Sequence, residues 1–242
     1  MKRIYLLSVM LFLSFSILSA KDEKNYVVNI MTNRGEITLL LYNQTPLHRD
    51  NFVKLCKAGT YDNVLFHRVI KEFMIQAGDP ESKRQEPGRV YGDGDLGYSI
   101  VAEIKPELFH KRGVLAAARE GDSVNPERKS SACQFYIVVG KRFTDQELDK
   151  VEKRIAKATG VKDYKISPEK REVYRTSGGT PHLDMQYTVF GEVLKGMDIA
   201  EGISITETDQ NDRPLKDICI ISTKVSKHSQ RWIKRHYEDK TF

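Results

Sequence analysis

"FHRVIKEFMIQAGDP", residues 66–80, is the stretch that decides the fold of this chain. Its apolar residues predict two short strands, near residues 64–69 and 73–77, with a turn between them. The stretch also carries polar side chains that packing alone does not require, above all Arg68 and Gln76. A planar cation and an amide on an apolar surface indicate that this strand pair contacts something besides its own core.

Side chains of a strand alternate between its two faces, and this alternation predicts a groove. In "FMIQAG", Met74 and Gln76 share one face, while Phe73 and Ile75 share the other. "SACQFYIVV" (residues 131–139) directs three side chains to the interior: Cys133, Phe135 and Ile137. The predicted outer groove collects the residues of the opposite face: Arg68, Met74, Gln76, Gln134 and Tyr136.

The segment "LFHRV" (residues 65–69) extends the same argument to the first strand. Alternation predicts that Arg68 shares its face with Phe66. His67 would then point to the opposite face with Leu65 and Val69, and we interpret it as a structural residue.

The predicted groove has no nucleophile beside a base and no pair of carboxylates, which excludes the usual hydrolytic arrangements. An apolar floor with one fixed charge and two amides can bind an extended peptide, and it can also promote rotation about an X–Pro bond. Resonance gives that rotation a barrier of about 18–20 kcal/mol. At the twisted transition state the prolyl nitrogen becomes pyramidal, so an arginine donor gains a hydrogen bond that the planar ground state cannot make.

Strands dominate the remainder of the chain and predict a closed or sandwiched β architecture. Residues 26–42 predict a hairpin around "NRG". Thr45 and Pro46 begin a predicted helix that Gly59 ends. "GMDIAEGI" predicts a second short helix before the last strand.

The first 20 residues have the layout of a secretory signal peptide. Lys2 and Arg3 precede an apolar run from Ile4 to Leu18, and "SILSA" precedes the charged "KDEK". We predict cleavage after Ala20, export to a bacterial periplasm and no integral membrane segment in the mature chain; an uncleaved anchor is the alternative.

The charge balance and the cysteines exclude several classes of partner. The chain has 39 Lys and Arg against 33 Asp and Glu, a net charge of +6, and +4 without the two basic residues of the leader. This charge is too mild to predict nucleic-acid binding. Cys56, Cys133 and Cys219 are an odd number in apolar contexts, so we predict buried free thiols, with no metal site and no cofactor.

Residues 141–180 predict a helical insertion between two strands. Thr144 and Glu147 have the spacing of a capping box, and a thin apolar stripe follows them. The stripe is too narrow for an independent domain, so we expect the insertion to lie on the β body. The basic residues 226–242 predict a solvated tail with one aromatic side chain docked on the body.

Together these segments resemble the cyclophilin-type peptidyl-prolyl cis-trans isomerases, particularly their exported bacterial members. The likeness extends from "FHRVIKEFMIQAGDP" to "GEITLLLYNQTPLHRDNF", "GVLAAAR", "CQFYIVVG" and "HLDMQYTVFGEVLKGMD", over about residues 26–140 and 181–225. The resemblance implies an all-β domain over residues 26–225, a closed eight-stranded antiparallel β-barrel capped by two helices. It also implies a monomer that isomerises X–Pro bonds of proline-containing polypeptides to assist folding, without a cofactor.

The resemblance also implies roles for individual residues. Arg68 is the catalytic arginine that donates to the prolyl nitrogen, and Gln76 orients it. Substrate contacts are implied for the proline pocket and its neighbours: Phe73, Met74, Ala118, Arg119, Gln134, Tyr136, His182, Leu183 and Tyr187. Ala118 and Arg119 would act through their backbone groups.

Three of these positions depart from the family pattern. Tyr136 replaces a phenylalanine of many relatives, and the added hydroxyl is expected at the rim of the pocket. Tyr187 replaces a pocket-lining histidine, and His182 replaces the tryptophan of the cyclosporin-sensitive members. We therefore expect altered pocket shape and weak cyclosporin binding.

Two alternatives stay open at this point. One is a non-catalytic chaperone or scaffold that grips proline segments without isomerising them. The other is an interaction protein that acts through the insertion or the basic tail. The presence of Arg68 favours the enzyme.

Overall fold

The computed structural model describes residues 24–238 of the chain. The leader predicted over residues 1–20 therefore lies outside the described residues, as does the end of the predicted tail. In the described range, no helix combines the length and the apolar character needed to cross a membrane.

An eight-stranded antiparallel sheet forms the body of the molecule. Its strands are β1 (Lys24–Thr32), β2 (Gly35–Leu41), β3 (Arg68–Ile70), β4 (Met74–Ala77), β6 (Val114–Ala117), β8 (Phe135–Val138), β9 (Val189–Lys195) and β10 (Ile220–Ser229). Across the sheet they follow the order β10-β1-β2-β9-β6-β8-β4-β3. Two short strands, β5 (Ser99–Ile100) and β7 (Ser130–Ser131), pair with each other. Strands β1 and β2 confirm the hairpin predicted for residues 26–42.

The helices of the described range are α1 (Pro46–Lys57), α2 (Asp145–Thr159), α3 (Pro168–Thr176), α4 (Met197–Ser204) and α5 (Gln230–Ile233). Short 3-10 turns span Pro80–Arg84 and Pro181–Leu183, and a π turn spans Lys234–Glu238. Helices α1 and α4 pack on the sheet and bury Phe52 and Ala200 in its main core. They are the two helices predicted from the sequence beside the β body.

The N-terminus of α1 uses a different cap from the predicted one. Thr45 occupies the N-cap position, but its side chain makes no capping hydrogen bond. Instead the Glu103 carboxylate accepts the backbone N–H groups of Leu47 (3.1 Å) and His48 (3.0 Å). An anion at a helix N-terminus satisfies groups that the helix itself leaves unpaired.

The two faces of the sheet separate as alternation predicts. Ile75 and Ile137 are fully buried in the main core, together with Phe135. Met74 and Tyr136 belong to a second apolar cluster on the other face of the same strands. The predicted faces are therefore confirmed within β4 and β8. The face predicted for Phe73 is wrong: it packs with Met74 on the outer side and not with Ile75, because it precedes the first residue of β4.

Backbone hydrogen bonds also join the segments next to the two edge strands. The N–H of Phe66, just before β3, donates to the carbonyl of Ile218 at 2.8 Å. The N–H of Ile220, where β10 begins, donates to the carbonyl of Val64 at 2.9 Å. These bonds bring the first and the last strand of the sheet order together.

The insertion consists of α2 and α3, which pack on each other. The capping box of Thr144 and Glu147 is confirmed, with both reciprocal hydrogen bonds present. Leu148 and Tyr174 are fully buried in a local apolar cluster that also contains Phe109 of the β body. The insertion therefore lies against the body, as expected.

The predicted tail is partly wrong. Strand β10 continues to Ser229, which pairs with Lys24, so the boundary predicted at residue 225 falls inside a strand. Beyond it, Ile233 is only 1% exposed and packs in a cluster with Val27 and Leu40. Side chains on both faces of the end of β10 are partly exposed. Its sequence is therefore polar like that of a solvated tail, although these residues form a strand.

All three cysteines are free thiols, as predicted. Cys56 and Cys133 are buried, and burial raises the pKa of their thiols to about 12 and about 11. Cys219 is only partly buried, so the prediction of burial is wrong for this residue. Unreactive thiols in the core are consistent with packing roles for Cys56 and Cys133.

Candidate active site

A cavity of about 270 Å³ opens on the outer face of β4 and β8. Met74 and Tyr136 form its buried floor, and Phe73, Leu183 and Tyr187 pack around them. The cavity brings together all the predicted site residues except Gln134 and His182. Its full lining is His67, Arg68, Phe73, Met74, Gln76, Tyr91, Gly92, Asp93, Ala118, Arg119, Tyr136, Leu183 and Tyr187.

Arg68 stands at the edge of this cavity and keeps 44% of its side chain exposed. Strand pairing places it directly opposite Gln76. Its Nε lies 3.4 Å from a carboxylate oxygen of Asp212, in the loop before β10. Because the fork of the guanidinium has several donors, pairing at Nε leaves the terminal nitrogens available to a ligand.

Gln76 does not hold Arg68 in the way that the family resemblance implies. Its amide nitrogen donates to Oε1 of Gln134 at 3.0 Å. Gln134 in turn donates to the carbonyls of Gly92 (2.7 Å) and Gly94 (3.0 Å). The two amides therefore join β4 and β8 to the glycine-rich loop, "EPGRVYGDGDLGYS" (residues 86–99), and Asp212 pairs with the arginine.

The faces predicted for Phe66 and His67, just before β3, are wrong. Phe66 is buried in the main core and not on the groove face with Arg68. His67 lines the cavity instead of facing away from it. Regular β structure begins only at Arg68, so the two-residue alternation does not extend back to these positions.

The hydroxyl of Tyr136 is not at the rim of the pocket. Tyr136 is 4% exposed, and its hydroxyl lies 3.0 Å from Nε2 of the buried His110. Burial raises the pKa of the Tyr136 phenol well above its ordinary value, so the hydroxyl keeps its proton. The ring presents an apolar face to the cavity while the hydroxyl points into the protein.

The far wall of the cavity is built from stacked rings. The ring of His182 stacks on Phe73 at 5.5 Å, and burial lowers the pKa of His182 to about 4. His182 therefore acts as an uncharged aromatic support behind Phe73. The guanidinium of Arg119 lies 4.4 Å from the ring of Tyr187, and its Nε donates to the carbonyl of Gln186 at 2.9 Å.

The backbone N–H and C=O groups of Ala118 and Arg119 differ in whether they are already hydrogen-bonded within the protein. The N–H of Ala118 donates to the carbonyl of Gln134 at 3.0 Å, and its carbonyl accepts the N–H of Ser131 at 2.9 Å. Within residues 24–238 the backbone of Arg119 makes no such bond. Arg119 is thus the position of the pair with hydrogen-bonding groups left for a ligand.

Sequence reasoning missed the residues that loops bring to the site. Tyr91, Gly92 and Asp93 line the cavity from the glycine-rich loop. Asp79, just after β4, is buried, and its carboxylate accepts the N–H of Gly92 at 2.6 Å. The only local signal for this loop was its run of glycines.

The described residues contain no group of His, Cys, Asp and Glu that could hold a metal ion. Two arginines line the cavity, Arg68 and Arg119, together with the Gln76 amide and the apolar floor. Guanidinium and amide groups can donate hydrogen bonds to a ligand, and the lining that the described residues form contains no Ser, Thr, Cys or Lys side chain.

Comparison with known proteins places this geometry in a family. The family model for "Cyclophilin type peptidyl-prolyl cis-trans isomerase" matches residues 27–225. A protein of Staphylococcus saprophyticus named as a peptidyl-prolyl cis-trans isomerase is 33% identical over 86% of this chain and 96% of its own length. A Streptococcus pyogenes protein named as a bifunctional phosphatase and peptidyl-prolyl cis-trans isomerase is 33% identical over 88% of this chain, which spans only 41% of it.

A solved structure has the same fold. The cyclophilin-type isomerase of Cryptosporidium parvum, crystallised in the presence of the dipeptide Ala-Pro, superposes with a TM-score of 0.55 at 26% identity. The match covers 84% of this chain and 99% of that one. The chain therefore belongs to the cyclophilin-type peptidyl-prolyl cis-trans isomerases.

Proposed function

We propose that the cavity binds proline-containing polypeptides and isomerises their X–Pro bonds, with Arg68 donating a hydrogen bond to the prolyl nitrogen. The observation that carries this mechanism is the half-exposed guanidinium beside an apolar floor of Met74 and Tyr136. The floor receives the proline ring, and the charge faces the bond that rotates. The solved relative that was crystallised with Ala-Pro supports the class of ligand.

These groups can supply the reduction in activation free energy that the proposed mechanism requires. Uncatalysed rotation takes tens of seconds, and a millisecond turnover needs about 10⁴-fold acceleration, or roughly 5.5 kcal/mol. A charged donor in a partly desolvated site supplies a large part of this energy, because the prolyl nitrogen accepts only when it is twisted. Holding the ring on the apolar floor supplies further orientation.

We also propose that the sheet closes into a barrel and that the protein acts after export. The hydrogen bonds between the segments preceding β3 and β10 support closure, because they join the two edges of the sheet. The layout of residues 1–20 supports export. A folding assistant outside the cytoplasm would meet newly translocated chains whose X–Pro bonds isomerise slowly.

The test is the rate of cis-to-trans exchange in an X–Pro peptide, followed by NMR exchange spectroscopy so that no coupling protease is needed. Arg68→Ala should lose about 10²-fold or more of the catalysed rate, the cost of removing a transition-state donor. Arg34→Ala is the matched control, because Arg34 is an exposed arginine of the β1–β2 turn and does not line the cavity. It should keep the parental rate.

Equal rates for the parent and Arg68→Ala would refute the arginine mechanism. A parent that binds the peptide without accelerating exchange would instead identify the non-catalytic chaperone or scaffold. Measuring peptide binding by chemical-shift perturbation in the same samples separates these outcomes.

A further inference from the structure

A line of buried side chains connects the helical insertion with the floor of the cavity. Tyr174 of α3 donates its O–H to Oδ2 of Asp184 at 2.6 Å. Oδ1 of Asp184 lies 3.0 Å from Nδ1 of His110, whose Nε2 lies 3.0 Å from the Tyr136 hydroxyl. None of the four side chains is more than 4% exposed. We refer to these four residues as the buried relay.

The proton positions in the buried relay follow from its chemistry. Burial raises the pKa of Tyr174 and of Tyr136 well above the ordinary value, so both hydroxyls keep their protons. Asp184 accepts the O–H of Tyr174 and also the backbone N–H of His110 at 2.8 Å. With Nδ1 of His110 donating to the same carboxyl group, Nε2 accepts from the Tyr136 hydroxyl. A buried network in which every group is satisfied is rigid and specific.

Each end of the buried relay fixes part of the cavity. Tyr136 is the floor, and its ring also packs edge-on against Tyr187 at 6.1 Å. Asp184 directly follows Leu183, which lines the cavity, and its own N–H donates to the carbonyl of Pro181 at 3.1 Å. Helix α2 packs on the same short turn. The insertion thus supports both the floor and the wall.

We propose that the insertion is a positioning element of the proline pocket. Through Tyr174 it holds Asp184 and His110, and so fixes the Tyr136 ring and the Leu183 wall in the orientation that receives proline. The inference rests on the proposed function, because it concerns the rate at that same cavity. It assigns the insertion a role within the isomerase that differs from a separate interaction module.

The tyrosine at position 136 is essential to this inference. With phenylalanine at this position, no hydroxyl would reach His110 and the buried relay would end one residue short of the cavity. The hydroxyls of Tyr136 and Tyr174 are therefore the two atoms whose removal breaks the connection without emptying the core. Tyr→Phe substitutions at these positions change one atom each.

The experiment compares kcat and KM for X–Pro isomerisation in Tyr174→Phe, Tyr136→Phe and the double variant, using the full protein. Each single variant should lose about tenfold in kcat/KM, the scale expected when a group in the site is displaced slightly. The double variant should lose no more than either single one, because both substitutions break the same connection. Tyr164→Phe is the matched control, since Tyr164 belongs to the insertion but makes no hydrogen bond through its hydroxyl with the described residues.

Thermal unfolding of every variant accompanies the kinetics. A purely structural role for Tyr174 would lower the melting temperature while kcat/KM of the folded enzyme stayed at the parental value, and this result would overturn the inference. Losses that multiply in the double variant would also overturn it. An inactive parent would refute the proposed function and the inference with it, whereas an active parent with unchanged Tyr174→Phe would refute only the inference.

Discussion

Acidification below pH 6.5 should destabilise the folded protein through His67. The ring is 3% exposed, and neither of its nitrogens has a hydrogen-bond partner among the described residues. Burial lowers the pKa of His67 to about 4, although the Asp79 carboxylate acts in the opposite direction. A charged imidazole is therefore poorly tolerated in the folded state.

The sign and size of the effect follow from linkage. The unfolded chain takes up this proton near pH 6.5, whereas the folded chain takes it up only near pH 4. Between these values the unfolded state binds more protons, so stability falls as the pH falls through this window and levels off below it. A difference between 6.5 and about 4, at 1.36 kcal/mol per unit, amounts to about 3 kcal/mol.

The measurement is the free energy of unfolding in urea at pH 7, 6, 5 and 4.5 for the parent and for His67→Gln. Glutamine has no charge at any of these pH values. The free energy of unfolding of the variant should therefore depend less steeply on pH than that of the parent, by up to about 1.4 kcal/mol per pH unit near pH 5. His182, whose pKa is also lowered to about 4, keeps its contribution in both proteins and cancels in the difference. Parallel curves for the two proteins would refute the reasoning.

Two further substitutions test the site and the C-terminal segment. Asp212→Asn should lower kcat of X–Pro exchange by no more than about fivefold, because an ion pair that is nearly half exposed is weak; a loss as large as that of Arg68→Ala would contradict this assignment. Ile233→Ala should destabilise the protein by about 2–4 kcal/mol, the cost of emptying a buried aliphatic site. Ile205→Ala, at a position that is 66% exposed, should change the urea midpoint little and serves as its control.

The faces of β4 and β8 could be predicted because both strands are regular from end to end. Met74 and Tyr136 fall on the outer face and Ile75 on the inner one, as a period of two requires. The same rule failed at Phe66 and His67, which precede β3, and at Phe73, which precedes β4. Alternation holds only inside a strand, and strand ends are the positions that sequence patterns locate least well.

The hydrogen bonds of the site could not be predicted in the same way. Asp212 and Arg68 are far apart in the sequence, so no local pattern could indicate that they form a pair. Nothing in "TDQNDRP" (residues 208–214) distinguishes the Asp212 carboxylate from its neighbours. The hydroxyl of Tyr136 was visible as a departure from the family, but its direction depends on His110, which no motif singled out. Such contacts are tertiary and become visible only once the loops are placed.

Arg213 fixes the loops that support Arg68, the proposed donor. It is 8% exposed, and Nη1 donates to the carbonyls of Glu86 and Arg89, both at 2.8 Å. Its guanidinium also stacks on Tyr91 at 5.0 Å, so the glycine-rich loop is fixed to the loop that carries Asp212. The backbone carbonyl of Asp212 accepts the N–H of Val69 at 2.8 Å, which fixes both loops to β3. The proposed role of Arg68, donation to a briefly pyramidal nitrogen, would need this rigidity, and a buried arginine next in sequence to Asp212 provides it.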